Sequence, residues 1–578
     1  MKEKIPFDKL KIHAPYRVFR KGRDGVIGLD TESLTSGYAF LITDSLSNYQ
    51  WIKSADDIIS FLTDESYRGS FNTFWNLDFD VTVMMKWFGK EFVQLLMQHT
   101  WSRYKDCEVQ YIPHRFLIIR RGNDWFSFFD AAQYYVPRSL DGASKQYLGE
   151  SKIHVGSKEF GESAYNNEEI LGYCIQDSKL CARLTQLLLG DLHDMGFSVS
   201  TLSSPGTIVG DALIGVPDVT KIPDGALEYA YNSYKGGWME CFKRGYFEKL
   251  YDYDISSAYP YQISELVDLS GGSWHYDEKW MPMSAVVGFV RCRVNIKSSI
   301  SPIIFQADVN YTPVGEWSTY LTLEEVDFIR EHRLGSVKVI DGWYFTPKKS
   351  ASKPFHYPMK HLFRQKSRIR NVWLPKALSV ALYGKFAQRD EEGSTGPLFN
   401  PVYAALVTSR TRLQIAEYAL TLPECLVLTS TDGLTFDRPL PVNVLGKGFG
   451  QLRLEASSGG VVVGTNVYTI KGKYSGGSWR PGRFDWLKLL REQPDLVKYS
   501  LGHFRYTTLA EGVIPDFSNW DLVGVFGTFP YEFDINYDHK RLFKRVSRGG
   551  DLLENQYGSV SWEIGIPERR RKLLWALK

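Results

Sequence analysis

Residues 26–33 read VIGLDTES, an apolar run that meets two acids. Successive side chains on a strand alternate faces, so Asp30 and Glu32 share one. Farther on, FWNLDFD at 74–80 ends in Asp80, and YCIQD at 173–177 carries Tyr173 and Asp177. That last motif lies in EEILGYCIQDSKLCARLTQLLL (168–189), whose amphipathic period predicts a helix. Four apart, Tyr173 and Asp177 share a helical face. Four carboxylates from a strand, a second element and a helix form an oxygen-donor set for two divalent cations. Such a pair clamps the attacking and leaving oxygens of a phosphodiester. Tyr173 would orient the attacking water. Each motif alone is commonplace, since an acid pair on a strand is usually a solvated face. Their joint occurrence in this order over about 150 residues is far more specific.

The whole chain frames that reading. At 578 residues it is too long for a single core, so roughly two to four domains are expected. An apolar content of 43% with 15% aromatics describes a folded protein. Net charge is only +3, so a polyanion must be met by local basic faces. No run of apolar residues reaches membrane-spanning length, and MKEKIPFDKLKIH lacks the apolar core of a signal peptide. Six cysteines without CxxC or His-spaced clusters suit a reducing compartment and argue against structural zinc.

Residues 24–200 alternate strand-like and helix-like runs, which predicts an α/β domain. A Pro/Gly-punctuated stretch at 203–224 marks the first boundary, and 225–350 is rich in strands and aromatics. Residues 355–388 predict two helices, the second starting at Pro375. A helix-like stretch at 401–421 leads into LVLTSTDGLTF (426–436), where Asp-Gly between apolar runs predicts a hairpin with Asp432 at its tip. In KRLFKRVSR (540–548), Lys540, Arg541, Lys544, Arg545 and Arg548 fall at helical spacing. That run reads as a phosphate-contacting helix or as an ordinary surface helix. The chain ends in a basic segment, PERRRKLLWALK.

The acidic set resembles the DEDDy class of 3′–5′ exonucleases, in particular the proofreading domain of family B DNA polymerases. That resemblance implies that Asp30, Glu32, Asp80 and Asp177 are metal ligands, with Tyr173 beside them. It also sets Asn76, Phe79, Ser139 and Leu140 along a single strand. Further motifs extend it. YDYDISSAYP (251–260) resembles the palm motif D-x2-S-L-Y-P with Ala258 for Leu, and TSTDG (429–433) stands at the second palm motif, D-T-D. YKGGW (234–238) matches Y-x-G-G, and KALSVALYGKF (376–386) resembles the fingers motif K-x3-N-S-x-Y-G. The implied fold combines α/β and α+β domains: an RNase H-like exonuclease over 1–200 and a right-hand polymerase. Its parts are linker and palm (201–354), fingers (355–388), palm (389–465), and thumb with C-terminal segment (466–578). Asp254 and Asp432, with the Ile255 carbonyl, are the implied polymerase ligands, two Mg²⁺ or Mn²⁺ ions serving each site. Arg364 and Lys376 would grip the triphosphate, Tyr259 would exclude a 2′-hydroxyl, and Tyr383 would pack on the nascent base pair. Tyr234, Gly236 and Gly237 link the two halves along the DNA.

Within that family the chain is most similar to the protein-primed polymerases of phages and linear plasmids. YLTLEEVDFIREHRLGSVKVIDGWYF (320–345) resembles the start of their first terminal-protein-region insertion, whereas the second insertion is truncated after Gly384. Ser430 replaces the first acid of D-T-D, on the strand face expected for Asp432; Val380 and Ala381 replace Asn-Ser; and Asn466 replaces the Lys of K-x-Y. The expected protein is a monomeric, cytoplasmic DNA polymerase with its own proofreading 3′–5′ exonuclease, replicating a viral or mobile-element genome. Its partners are template-primer DNA and dNTPs, with a terminal protein primer left open and no membrane. Two alternatives stand beside it: an exonuclease whose polymerase half has become a DNA-binding module, and a non-catalytic single-strand or terminal-protein binder.

Overall fold

The computed structural model describes the chain except residues 1–3, 15–21, 154–159, 214–217, 279–283, 308–309, 349–351, 442, 444, 471–472, 477–483, 515 and 565–578. The basic C-terminal segment, 567–578, therefore lies outside the described residues.

The N-terminal part is built on an eight-stranded sheet with Val26–Ser33 and Phe71–Phe74 near its middle. Those two strands pair in parallel, and Phe71–Phe74 also runs parallel to Asp124–Asp130. The remaining neighbours are antiparallel. Across the sheet lies the helix Glu168–Asp194, capped by the Asn167 side chain, which accepts from the amides of Glu169 and Ile170. Gly28 is what lets it settle so close. A Cβ there would lie 2.1 Å from the Ser178 carbonyl oxygen. One missing methyl group thus brings the Asp177 turn of the helix against the strand that carries Asp30.

A second, nine-stranded sheet centres on Lys243–Ile255, flanked by Gly433–Phe436 and Leu452–Gly464. Helix Pro401–Ala419 precedes the hairpin of Leu426–Ser430 and Gly433–Phe436, as its sequence predicts. The turn itself differs from expectation. Its two residues are Thr431 and Asp432, and the positive φ of 61° falls on Thr431 rather than on an Asp-Gly pair. Asp432 is therefore in the turn, and strand alternation does not tie its direction to that of Ser430.

Helices His356–Gln365 and Trp373–Phe386 follow one another, as 355–388 predicts. The second begins two residues before Pro375, which sits in the first turn where its missing N–H leaves no bond unmade. One apolar cluster joins residues of the N-terminal part, such as Leu180 and Leu184, to Leu378 and Leu382 of that helix and Val402 of the next.

The basic run at 540–548 is not a helix. Leu542–Phe543 is a short strand paired with Tyr557–Val560. Arg541 is buried and pairs with Glu240, while the Lys540 ammonium donates to the Met239 carbonyl. Internal partners take up at least three of the five charges, since Arg548 pairs with Asp551, and the spacing that suits a helix is carried by non-helical chain.

Candidate active sites

A cavity of about 850 Å³ opens over the Val26–Ser33 strand. Asp30, Glu32, Asp80, Tyr173 and Asp177 all line it, so the structure brings together every member of the first acidic set. Ligand atoms of Asp30, Glu32 and Cys174 lie within 4.8 Å of one another. Burial keeps the Cys174 thiol well above its ordinary pKa, so it stays protonated beside the carboxylates. Burial, then the charges of Asp177, Glu32 and Asp80, drive Asp30 well above the usual carboxylate range. Asp80 is raised by burial as well, against the Thr31 hydroxyl and amide that donate to it at 2.7 and 3.2 Å. A crowd of buried oxygens short of positive charge is a donor set suited to hard divalent cations.

One cation of the chain already reaches in. Lys152 pairs with Asp177 and lies 5.1 Å from the Tyr173 ring centroid. Burial opposes its charge, but Asp30 and Asp177 outweigh that and raise its pKa. Nothing in the local sequence marks this lysine, because its loop has no periodicity.

The residues expected along a single strand divide. Phe79 lines the cavity and packs against Tyr506 and Phe526 at 5.1 and 5.4 Å between centroids. Asn76 is exposed, in left-handed backbone at φ 68°, its amide held by Asp130. Ser139 caps a short helix through the Gly142 amide, and Leu140 is buried in the core; neither lines the cavity.

The second set assembles at the end of Lys243–Ile255. Asp254 pairs in register with Gly433, and the Ile255 amide donates to the Asp432 carbonyl at 2.9 Å. Burial, then Asp432 and Glu455, push Asp254 up to about 6, while Arg453 and Lys376 pull it down. Arg453 lies 3.6 Å from Asp254. Lys366 donates to Ser257 and is pushed down to about 8 by burial, Lys376 and Arg453, with Asp254 acting against them. Arg364 is exposed on helix His356–Gln365, and Lys366 stands at that helix's end, so Lys366 and Lys376 rather than Arg364 are the side chains of this region that bear on Asp254. In HLFRQKSRIRNVWLPK (361–376) the bases alone do not reveal that Lys366 turns inward, and nothing in QLRLEASS (451–458) sets Arg453 apart.

Three tyrosines form a chain beside these acids. Tyr259 lies 4.8 Å from Tyr383 between centroids, and the Tyr383 and Tyr234 hydroxyls share a 2.7 Å hydrogen bond. The loop carrying Tyr234, Gly236 and Gly237 is fixed from below. Arg412, fully buried, donates to the Lys235 and Gly236 carbonyls and pairs with Glu325 at 2.7 Å. A Cβ on Gly237 would come within 2.8 Å of Thr431, so this loop rests on the Asp432 turn. Ser430 does not face an acid: its hydroxyl donates to the Asn466 side-chain oxygen at 2.8 Å.

Comparison with solved structures decides the fold. Phi29 DNA polymerase, complexed with primer-template DNA and incoming nucleotide substrates, superposes with a TM-score of 0.65 at 14% identity. The match covers 88% of this chain and 99% of that one. The fold is that of phi29 DNA polymerase. An orthorhombic crystal form of the phi29 enzyme gives 0.63 at 15% identity, and its complex with single-stranded DNA gives 0.62 at 15%, with the same coverage. Residues 144–396 match the sequence family described as DNA polymerase type B, organellar and viral. The DNA polymerase of Acidianus bottle-shaped virus (isolate Italy/Pozzuoli) is 24% identical over 264 residues, 41% of this chain and 38% of that protein. The aligned stretch thus spans well under half of this viral relative. Among the described residues no helix is long and apolar enough to cross a membrane.

Proposed function

We propose that this chain is a template-directed DNA polymerase with an intrinsic 3′–5′ proofreading exonuclease, serving a viral or mobile-element genome in the host cytoplasm. The observation that carries this reading is the presence of two separate carboxylate clusters, each with its own lysine, on a family B polymerase fold. The N-terminal sheet and its helix would be the exonuclease, up to about residue 200. The strands of the nine-stranded sheet up to residue 465 would be the palm, helices within 355–388 the fingers, and 466–578, which adds that sheet's remaining strands, the thumb with the C-terminal segment.

Asp30, Glu32, Asp80 and Asp177 would hold divalent cations in one site, and Asp254, Asp432 and the Ile255 carbonyl in the other, two at each. Such ions, Mg²⁺ or Mn²⁺, supply charge neutralisation at the reacting phosphodiester. The chain does the rest. Lys152 and Tyr173 orient the groups at the cleavage site, while Lys366, Lys376 and Arg364 meet the triphosphate. Tyr259, braced by Tyr383, bounds the sugar. Template-primer DNA and dNTPs are the proposed partners, as in the phi29 complexes, and a protein primer is an alternative start.

One observation favours a second reading, an exonuclease with an impaired polymerase half. Ser430 and Asn466 are both neutral and satisfy each other. Primer extension and single-strand degradation with Mg²⁺ separate the two readings. Asp254→Ala should abolish extension and spare degradation, and Asp30→Ala with Glu32→Ala should do the reverse. Degradation without extension by the unmodified chain would establish the second reading.

A further inference from the structure

The acidic cavity has a wall that the carboxylate motifs do not mention. Strands Lys498–Tyr506 and Phe526–Asp534 form a two-stranded ribbon far along the chain, and Phe504 and Phe526 from it line the same cavity as Asp30 and Asp177. The two rings are stacked, 5.6 Å between centroids and 20° between planes. They are nevertheless 68% and 51% exposed. A folded chain does not usually leave a stacked aromatic pair open beside a charged cavity, and such a pair marks a binding surface. Phe526 also touches Phe79, which lies one residue before Asp80, so aromatic surface runs continuously from the ribbon to the acids.

The ribbon is anchored to the N-terminal part. Between its strands the chain doubles back, and Leu509, Val513, Trp520 and Val523 join the apolar core of the first sheet. The buried Lys86 ammonium donates to the carbonyls of Ser36, Asp521 and Val523 at 2.7, 3.0 and 2.8 Å. Gly37 admits this close approach, since a Cβ there would meet the Val523 oxygen at 2.1 Å. The aromatic pair is therefore held over the cavity by both ends of an inserted segment.

We propose that Phe504 and Phe526 form a stacking shelf for the unpaired bases that follow a DNA 3′ end into the acidic cavity. The chemistry selects this occupant. Carboxylates with bound cations take the terminal phosphodiester, and flat, exposed rings accept any unstacked base, giving sequence-tolerant binding of a single strand. A duplex end, whose bases are already stacked, gains nothing there. This rests on the exonuclease reading of the first site, and it adds a subsite contributed by the C-terminal part of the chain.

The test compares oligothymidylates of two and six nucleotides as degradation substrates. In Phe504→Ala with Phe526→Ala, kcat/KM for the hexamer relative to the dimer should fall about tenfold, the scale of one lost base stack. Phe504→Trp with Phe526→Trp should restore or exceed the original ratio, which a merely structural defect would not allow. An unchanged ratio in the alanine variant overturns the shelf. A second arm uses Asp30→Ala with Glu32→Ala and a hexamer carrying 2-aminopurine next to its 3′-terminal nucleotide. Fluorescence quenching on binding should be present with the shelf and lost without it. Quenching on binding together with no degradation of the hexamer by the chain with Asp30 and Glu32 intact and Mg²⁺ present would sink the exonuclease reading alone; quenching that survives loss of both rings would sink the shelf alone.

Discussion

Asp254 shows what a single residue costs the metal-free fold. Its carboxyl is held at about 6, above its ordinary 3.8, chiefly by burial and then by Asp432 and Glu455. Between those values the folded chain binds more protons than the unfolded one. Its stability therefore falls as pH rises through that window and stays lowered above it. Mg²⁺ should accordingly raise Tm more at pH 8 than at pH 5, and Asp254→Asn should raise the metal-free Tm at pH 8. Calorimetry with and without Mg²⁺ checks this; equal shifts at both pH values contradict it. Tyr259 gives a second prediction at this scale. Its ring is braced by Tyr383, itself tied to Tyr234, so it cannot swing aside for a 2′-hydroxyl. Tyr259→Val should admit ribonucleotides while dNTP incorporation persists. Steady-state incorporation decides it, and undiminished rejection of ribonucleotides refutes the assignment. Asp30, Glu32, Asp80 and Asp177 were legible because the motif fixes residue type and spacing together. Lys152, Lys366 and Arg453 were not, since a long side chain reaches its partner through folding that local pattern does not encode.

Among the elements, the long helix and the hairpin strands could be read from their apolar pattern, whereas the turn between those strands falls on Thr431 and Asp432 rather than on Asp-Gly. The run at 540–548 could not, because basic residues at helical spacing are equally compatible with non-helical chain when Glu240, a carbonyl and Asp551 take three of the charges. The hairpin also exposes a coupling between two departures from the family pattern. Ser430 ends the strand Leu426–Ser430 and Asn466 lies in the turn between Leu452–Gly464 and Val467–Ile470, yet they share a hydrogen bond, a neutral pair where the resembled motifs have an acid and a lysine. Ser430→Asp alone adds a negative charge on the hairpin that carries Asp432, opposite a neutral Asn466. Combined with Asn466→Lys, the new charge is paired. A double-mutant cycle on Tm and extension rate should therefore show the double variant outperforming the sum of the singles by about 1 kcal/mol or more, the range of coupling between contacting residues. Additivity within error would mean that the two positions are independent.

At the scale of the whole molecule, the first cavity is completed by chain that lies more than three hundred residues away, and the fold must hold that distant wall in place. Lys86 is the main polar fastening. Its ammonium is 3% exposed and satisfied by three carbonyls, two of them from the inserted segment between the ribbon strands. Burial pushes its pKa down to about 8, below the ordinary 10.5, so desolvation takes back part of what the three bonds contribute. The net worth of the fastening is then on the order of 2–3 kcal/mol, near that of one or two hydrogen bonds to a charged group. Its loss should open the insertion locally without unfolding the sheet, because Trp520 and Val523 still pack into the first core. In Lys86→Ala, amide hydrogen exchange at 521–525 should quicken by tenfold or more while the amides of Val26–Ser33 keep their protection. Single-strand degradation should weaken more than primer extension, since only the first cavity has the ribbon for a wall. If exchange at 521–525 is unchanged, the apolar contacts alone hold the ribbon; if both segments quicken together, Lys86 supports the whole N-terminal fold rather than the fastening.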